Sequence, residues 1–593
     1  MIRFCAGALW LRCKDMTGTR LFSSVRLALI GGTVLGALGF IPAPAFAQVA
    51  DATGSADPAR AQERFLEGQK LPEVSSNVEV KSAPPAQAPE GAETIRFDLQ
   101  TLQIDGVTTY KAEDIDPLYR DKLGKNVSLA DIYAIAGALT TKYRNDGFVL
   151  TQVVVPPQTI ETGTVRLQVV EGFIDQVAVQ GVDKETEADL IQRLAGHLQG
   201  GGAMNVKDLE RNLLLINDLP GVTARSVLSP SKTTTGAADL TVIVERDKVE
   251  AAIGFDNFGS RFLGEYEGQA SAAINSFLGY NDRIAAQFVM AGDQKDEVDE
   301  LLFGSLSYEI PVWSEGTTVR LLTSLTSTDP GYTLREFDVE GRSSLLSGTI
   351  NHPFIRSRNL NLNGYATLDQ RKVDSQNNLE ATREDRITSV RAGGNVQYVD
   401  TLLGVGVNAA SLELSKGVSW FGASDEGDSN LTRERGDPRY FKAELNLQRL
   451  QRVTSKVNLL VAGQGQWSND PLLSSEEFGV GGINLGRGYD PSEIVGDDGI
   501  AGKAELHWNE PYAIKGIEDY QLYAFFDIGR VWNQDATSSA DKRESLSSTG
   551  LGVRADITEK TQAGLAVAFP LTRDVDARDD TDPRYYVNVN HKF

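Results

Sequence analysis

The stretch GGINLGRGYDP, residues 481–491, places one arginine between two glycines in a loop otherwise built for flexibility. A guanidinium is planar and permanently charged, so its chemistry is the binding of an anionic group such as a carboxylate, not proton transfer. Glycine-rich loops are usually plain surface connectors, and that is the reading any special role for Arg487 must displace. Little else in the chain competes for a chemical role. The four histidines, His197, His352, His507 and His591, are scattered without metal-ligand spacing. There is no G-x-S-x-G elbow. GIAGKA near residue 500 lacks the first glycine and the hydroxyl residue of a phosphate loop. The acidic run DVDARDDTD (574–582) reads as a solvated loop, with weak calcium binding as the alternative. An enzyme is not expected, nor is a metal or other cofactor.

Composition narrows the class. Arg20 and Arg26 precede the apolar run LALIGGTVLGALGFI (27–41), and small residues at Ala45 and Ala47 complete a signal-peptide pattern over 1–47. Both cysteines, Cys5 and Cys13, fall inside it, so the exported chain carries no thiol. The full chain has 58 Lys+Arg against 81 Asp+Glu; without residues 1–47 the balance is 53 to 80, a net of −27. That acidity disfavours nucleic acid as a partner. No later apolar run is long enough for a transmembrane helix, which leaves a soluble chain or a membrane β-barrel.

The elements that must position the arginine follow from periodicity. Residues 48–93 are polar and rich in Ala, Pro and Ser, with one short helix predicted at 57–69, Asp57 as N-cap and Pro58 at its first position. Its apolar face is thin, so it must dock on something to be stable. Residues 94–172 and 173–247 read as two tandem β-α-α-β-β modules. The first has a strand at IRFDLQTLQIDGV, a serine-capped helix over 128–147 and strands at 149–156 and 163–172. The second has a strand at 174–182, helices over 184–198 and 206–219, and strands at ARSVLSPS and ADLTVIVERD.

Beyond Val249 the chain alternates in short segments. In YQLYAFFDIGRVW (520–532), Tyr520, Leu522, Ala524, Phe526, Ile528 and Trp532 share a face broken only by Arg530. Aromatic residues at both ends of an apolar face fit the interface girdles of an outer-membrane strand. About 345 residues are enough for about 16 strands of the usual length. A β-sandwich, propeller or solenoid is the soluble alternative. The fold expected is therefore an all-β transmembrane barrel over 248–593 preceded by two α+β modules.

Motifs make the expectation more specific. YRNDGFVLT (143–151), PPQTIETGTVRLQVVEG (156–172), FDNFGS (255–260) and Asn281-Asp282 together resemble the two-partner secretion transporters, hemolysin- and hemagglutinin-exporting members of the superfamily that includes the barrel assembly factor. The resemblance implies two periplasmic POTRA domains and a sixteen-stranded outer-membrane barrel. The sixth loop, about 468–499, would fold into the pore and carry an Arg-Gly-aromatic motif. Counting strands back from Phe593 (561–571, 547–557, 520–532, 500–509) makes GGINLGRGYDP that sixth loop. Gly486 and Gly488 would let its backbone approach the wall. By resemblance to the family's Phe-x-Asp-x-Gly pattern, Arg487 pairs with Asp527, and Gly529 clears space beside it. Tyr489 matches the family's aromatic position, whereas Gly486 replaces the aliphatic residue that many members carry. Pro157, Gln158, Glu171 and Gly172 fall in the implied partner-recognition region of POTRA 1, and the helix at 57–69 in the place of the plug helix.

The function implied is secretion of one large exoprotein (hemolysin, adhesin or heme-scavenging type), without nucleotide hydrolysis. The protein partner is that exoprotein, the surroundings outer-membrane lipid, and the working unit a monomer. A barrel-assembly factor of the same superfamily, or a passive porin or receptor, are the alternatives.

Overall fold

The computed structural model describes residues 54–66, 87–160, 162–200, 202–293, 300–378, 383–509, 514, 516–538 and 542–593. The predicted signal peptide and residues 67–86 of the predicted linker lie outside the described residues. So do the last three residues of the predicted helix.

Sixteen strands form a closed antiparallel barrel, from the first, Val249–Asp256, to the last, Arg584–Lys592. Each pairs with its chain neighbours, and the last returns to the first in the register Val589↔Phe255. Closure leaves no unpaired sheet edge, the condition for a β-structure to sit in hydrocarbon. The alternation read from the sequence is realised as two faces. On Asp519–Trp532, Leu522, Phe526 and Ile528 are exposed outward while Tyr523, Phe525, Asp527 and Val531 are buried. On the last strand Tyr585, Val587 and Val589 point outward and Tyr586 inward.

Two α+β modules precede the barrel. In the first, Ser128 caps the helix Leu129–Asn145 and Asp131 returns the bond, a reciprocal box. The backbone and hydroxyl bonds from Ser128, helped by Lys122, draw the Asp131 carboxyl down to about 2. The single strand predicted at IRFDLQTLQIDGV is two strands, Arg96–Leu99 and Thr101–Asp105, with different partners. The first pairs antiparallel with Lys125–Ser128 and the second pairs parallel with Thr164–Val170. The break falls at Gln100, where Gly163 accepts from the N–H groups of both Gln100 and Thr101. The first helix of the unit is a single turn, Ala112–Ile115, followed by 3-10 turns. The strand predicted at 149–156 shortens to Gln152–Val154, because Pro156 and Pro157 have no N–H to continue a ladder.

The second module packs helices Glu185–Gly196 and Val206–Asn217 on a three-stranded sheet of Phe173–Gln180, Ala237–Arg246 and Val222–Pro230. Ile191, Leu194, Leu209 and Ile216 lie in its core. Leu99, Ile132, Leu139 and Tyr143 lie in the core of the first.

Candidate functional site

The connection between the eleventh strand, Val457–Ser468, and the twelfth, Asp498–Asn509, spans 469–497 and is the sixth of eight on the barrel face opposite the modules. It does not arch away from the barrel. Phe478–Val480 and Ile494–Gly496 pair as a small antiparallel hairpin whose Val480, Leu485, Tyr489 and Ile494 pack on inward residues Ala501, Val531 and Leu546.

At the tip of this hairpin Arg487 is 2 % exposed, the largest fully buried side chain among the described residues. Its Nη2 and Nε donate to the two Asp527 carboxylate oxygens at 2.6 and 2.9 Å, a bidentate fork. The backbone N–H groups of Gly486 and Arg487 donate to the same carboxylate at 3.2 and 3.0 Å. Nη1 donates to a second carboxylate, Glu505, at 2.6 Å. The guanidinium lies 3.5 Å from the centre of the Phe525 ring, and the Tyr586 hydroxyl donates to the Arg487 carbonyl at 2.7 Å. The strand register explains the convergence. Lys503 stands opposite Asp527 and Glu505 opposite Phe525, so two neighbouring strands present their inward side chains to one point.

Glu505 is absent from the sequence-based set of site residues. The signal was available: in KAELHW, Lys503, Glu505 and His507 alternate with apolar residues, so a carboxylate falls on the inward face one strand from Asp527. His507 Nε2 at 2.9 Å and Arg554 Nη2 at 3.2 Å meet its other oxygen.

The glycines have separate tasks. Gly486 has φ +91, in the left-handed region where L side chains are strained, and an added Cβ would lie 2.9 Å from Leu546 Cδ1. A Cβ on Gly488 would lie 2.7 Å from Pro570 N and 2.9 Å from Ser548 Cβ. Gly529 makes room for Val480 of the hairpin, 2.5 Å from its would-be Cβ, more than for Asp527 itself. Tyr489 is fully buried; its hydroxyl donates to the Ser547 carbonyl at 3.2 Å and accepts from the N–H groups of Thr572 and Arg573 at 3.3 Å. Asp490, next in the motif, pairs with Arg584 of the last strand. The twelfth, thirteenth and last strands thus hold the hairpin tip.

The helix Pro58–Leu66 starts at Asp57, whose carboxylate accepts from the Ala59 N–H at 2.7 Å. Arg60 donates to the carbonyls of Ser474 and Glu477 at the base of the hairpin, at 3.1 and 2.9 Å. Glu63 meets Arg371 at 2.9 Å, Gln62 accepts from Ser343 at 3.0 Å, and Arg64 pairs with Glu267. One nine-residue helix touching the second, sixth and seventh strands together must lie in the lumen.

In the first module the motif residues brace the module itself. Gln158 extends its carboxamide to the Arg166 backbone, accepting from its N–H and donating to its carbonyl, each at 2.7 Å. It takes the place of a ladder partner at Pro156, and Pro157 keeps the chain off that ladder. Glu171 accepts from the Thr108 and Thr109 N–H groups at 3.0 Å, from the Thr108 hydroxyl, and from Tyr143 at 2.6 Å. Burial opposes its ionisation, but these bonds outweigh it and hold the carboxyl below its ordinary range. A Cβ on Gly172 would lie 2.6 Å from Leu150 Cβ. The structure therefore does not bring these four residues together with Arg487 and Asp527.

Comparison with known proteins places this architecture. Residues 236–555 match the family described as haemolysin secretion/activation protein ShlB/FhaC/HecB, and residues 97–172 match the ShlB-type POTRA domain. Among curated relatives, the heme/hemopexin transporter protein HuxB of Haemophilus influenzae (strain 86-028NP) is 22% identical over 82% of this chain and 86% of its own. The outer membrane transporter CdiB of Escherichia coli O6:K15:H31 is 23% identical over 82% of each. The solved structure of CdiB from Escherichia coli superposes with a TM-score of 0.69 at 18% identity, covering 92% of this chain and 98% of that one. With its barrel in the outer membrane and its two modules in the periplasm, the chain belongs to the haemolysin secretion/activation protein family, the outer-membrane transporters of two-partner secretion.

Proposed function

We propose that the protein exports one large exoprotein through the lumen, that the hairpin at 478–496 shapes the route, and that Arg487 fixes the hairpin against the wall through Asp527 and Glu505. The observation that carries this reading is the double carboxylate around a fully buried guanidinium. A buried ion pair adds little net stability, but it penalises every arrangement in which its charges separate. It is suited to fixing a loop conformation in a pore whose other contents must change. Neither the relatives' names nor the lumen chemistry offers a catalytic role, and the family's transport is read here as non-enzymatic.

The lumen as it stands is filled by the helix Pro58–Leu66, which we read as a plug that must leave before cargo passes. It is held by polar bonds at Arg60, Gln62, Glu63 and Arg64 together with apolar packing of Phe65 on Phe303, none of them covalent, which suits a removable stopper. Cargo recognition is assigned to the outer edge of Val222–Pro230 in the second module. Odd-numbered residues of that strand face its partner Ala237–Arg246; Asn217 caps the outward groups of Ala224 at 2.8 and 3.2 Å. The outward backbone groups of Ser226 and Leu228 have no partner among the described residues, the geometry a strand of unfolded cargo can add to. HuxB is described as a heme/hemopexin transporter and HpmB of Proteus mirabilis as a hemolysin transporter; a large hemolysin-, adhesin- or heme-scavenging-type exoprotein is the cargo class proposed here. The protein is proposed to act as a monomer in outer-membrane lipid. The test is secretion by Arg487→Ala with barrel insertion measured in parallel: export is expected to fail while the barrel still inserts, and unchanged export removes the proposed role.

A further inference from the structure

A pocket of about 610 Å³ opens where the second periplasmic module meets the barrel wall, between the start of helix Val206–Asn217 and residues 354–359 at the end of the sixth strand and its turn. Four cations line it, Lys207, Arg211, Arg356 and Arg358, beside the carboxylates of Asp208 and Glu210. That runs against a chain with a net charge of −23. Arg356 is neutralised by a bidentate pair with Asp218 at 2.7 and 2.8 Å, and Arg358 meets Glu210 at 3.3 Å. Arg211 is held differently. It donates to the carbonyls of Pro353 and Phe354 at 3.2 and 3.5 Å, which engages two of its five N–H groups and brings no counter-charge. Lys207 is exposed and makes no direct ion pair among the described residues, the Asp146 carboxylate feeling its charge from farther off. Among the lining residues and Asp218, four cations meet three carboxylates, Asp208, Glu210 and Asp218, an excess of one positive charge.

The barrel rim of the same pocket is apolar and faces outward. Leu346, Ile350 and Phe354 are exposed on one face of the sixth strand, Glu340–Arg356, the face a barrel turns to acyl chains. The Phe354 ring lies over Gly364 of the next strand, 2.6 Å from where a Cβ would stand. The nearby turn between the fourth and fifth strands, whose Gly316 abuts Pro353, carries Trp313 at 69 % exposure. An exposed tryptophan on a barrel turn marks headgroup depth. Cations just beyond an outward apolar band, on the module side, therefore lie at the headgroups of the periplasmic leaflet.

We propose that this pocket binds the phosphodiester headgroup of an anionic phospholipid, with Lys207 and Arg211 as its ligating cations and Phe354 and Ile355 beside its acyl chains. The site rests on the membrane-spanning reading of the barrel, and it ties the second module to the leaflet as well as to the turn. An acidic peptide would find the cations equally, but it has no use for an outward aromatic rim, which is why a lipid is favoured.

The test offers the detergent-extracted full chain phosphatidylglycerol, phosphatidylethanolamine or inorganic phosphate and counts bound molecules by native mass spectrometry. Phosphatidylglycerol should be retained in preference to phosphatidylethanolamine. Lys207→Gln with Arg211→Gln should lower retention by about fivefold per cation removed, and Arg193→Gln, on the neighbouring helix, should leave it unchanged. Equal retention of the two lipids by the native chain overturns the proposal without any variant, so a double variant that fails to fold does not shield it. Undiminished retention in a well-folded double variant overturns it too. Displacement by millimolar inorganic phosphate identifies a free-anion site, and displacement only by an acidic polypeptide identifies a protein-docking site; each overturns the lipid assignment. Loss of heat-modifiable mobility in the native chain would instead count against the membrane reading.

Discussion

At the scale of single residues, the candidate site is one cation shared between two carboxylates on adjacent strands. Arg487→Ala leaves the buried Asp527 without its ion-pair partner and Glu505 with Arg554 as its remaining one, a cost of about 3–5 kcal/mol for the hairpin's position. Secretion should drop by more than about tenfold while the barrel keeps its heat-modifiable mobility. Arg487→Lys should rescue little, because a point charge cannot reproduce the fork on Asp527. Asp527→Ala should resemble Arg487→Ala, and combining them should add almost nothing; a doubled loss on a free-energy scale would separate the two residues. Glu505→Gln should be milder, since Asp527 retains the bidentate contact. Glu171 adds a pH prediction. Its carboxyl is lower in the folded module than in the unfolded chain, so its contribution is present above the ordinary carboxylate range and fades as pH falls through the lowered value. Hydrogen exchange at the Thr108 and Thr109 amides of the full chain, corrected for intrinsic rates, should show protection down to about pH 5 and a loss below it. Glu171→Gln should flatten that response. Arg487 was nameable because it breaks the pattern of its own segment, and Asp527 because the family resemblance pairs it with that arginine. Glu505 was harder to see, because nothing in KAELHW says which strand its neighbour will be.

At the scale of elements, two pieces are held by bonds that can be exchanged. The helix Pro58–Leu66 is tied to the hairpin base through Arg60 and to the wall through Glu63 and Arg64. Removing residues 54–66 should raise single-channel conductance several-fold; an unchanged conductance would place the resting barrier in the hairpin. The edge of Val222–Pro230 can be tested by Ser226→Pro. Proline there deletes an outward N–H but no bond to Ala237–Arg246, and edge strands accept it. Cargo capture by the isolated full-length transporter should weaken by about tenfold, for lack of about one hydrogen bond and its strand geometry. A Val227→Pro control would damage the sheet itself. Element limits were legible where chemistry punctuates them: Ser128 starts a helix, and Pro156 stops a strand. The split at Gln100 was not, since a continuous alternating run does not reveal that its halves pair with different strands.

At the scale of the whole molecule, the periplasmic modules and the barrel divide recognition from passage. Deleting residues 95–172 should abolish partner export while pore conductance survives, and retained export would remove the first module from the pathway. The charges at the module–wall junction, Arg356 with Asp218 and Arg358 with Glu210, set the second module on the same turn that lines the lipid pocket. Anionic lipid should accordingly slow hydrogen exchange in helix Val206–Asn217.

The sequence by itself determined that the region beyond Val249 is built of alternating strands, because a period of two must be satisfied strand by strand; the family resemblance supplied the closed barrel of sixteen, whose closure removes the edges. The sequence also determined that an arginine with clearance on both sides would need a carboxylate. Tertiary structure decided which carboxylates, since register between strands is a long-range choice that places Glu505 and Asp527 at one point. It decided as well that Gln158, Glu171 and Gly172 brace their own module. A motif states which residues recur together, and packing shows what they touch within their own module, here Arg166, Thr108, Thr109, Tyr143 and Leu150.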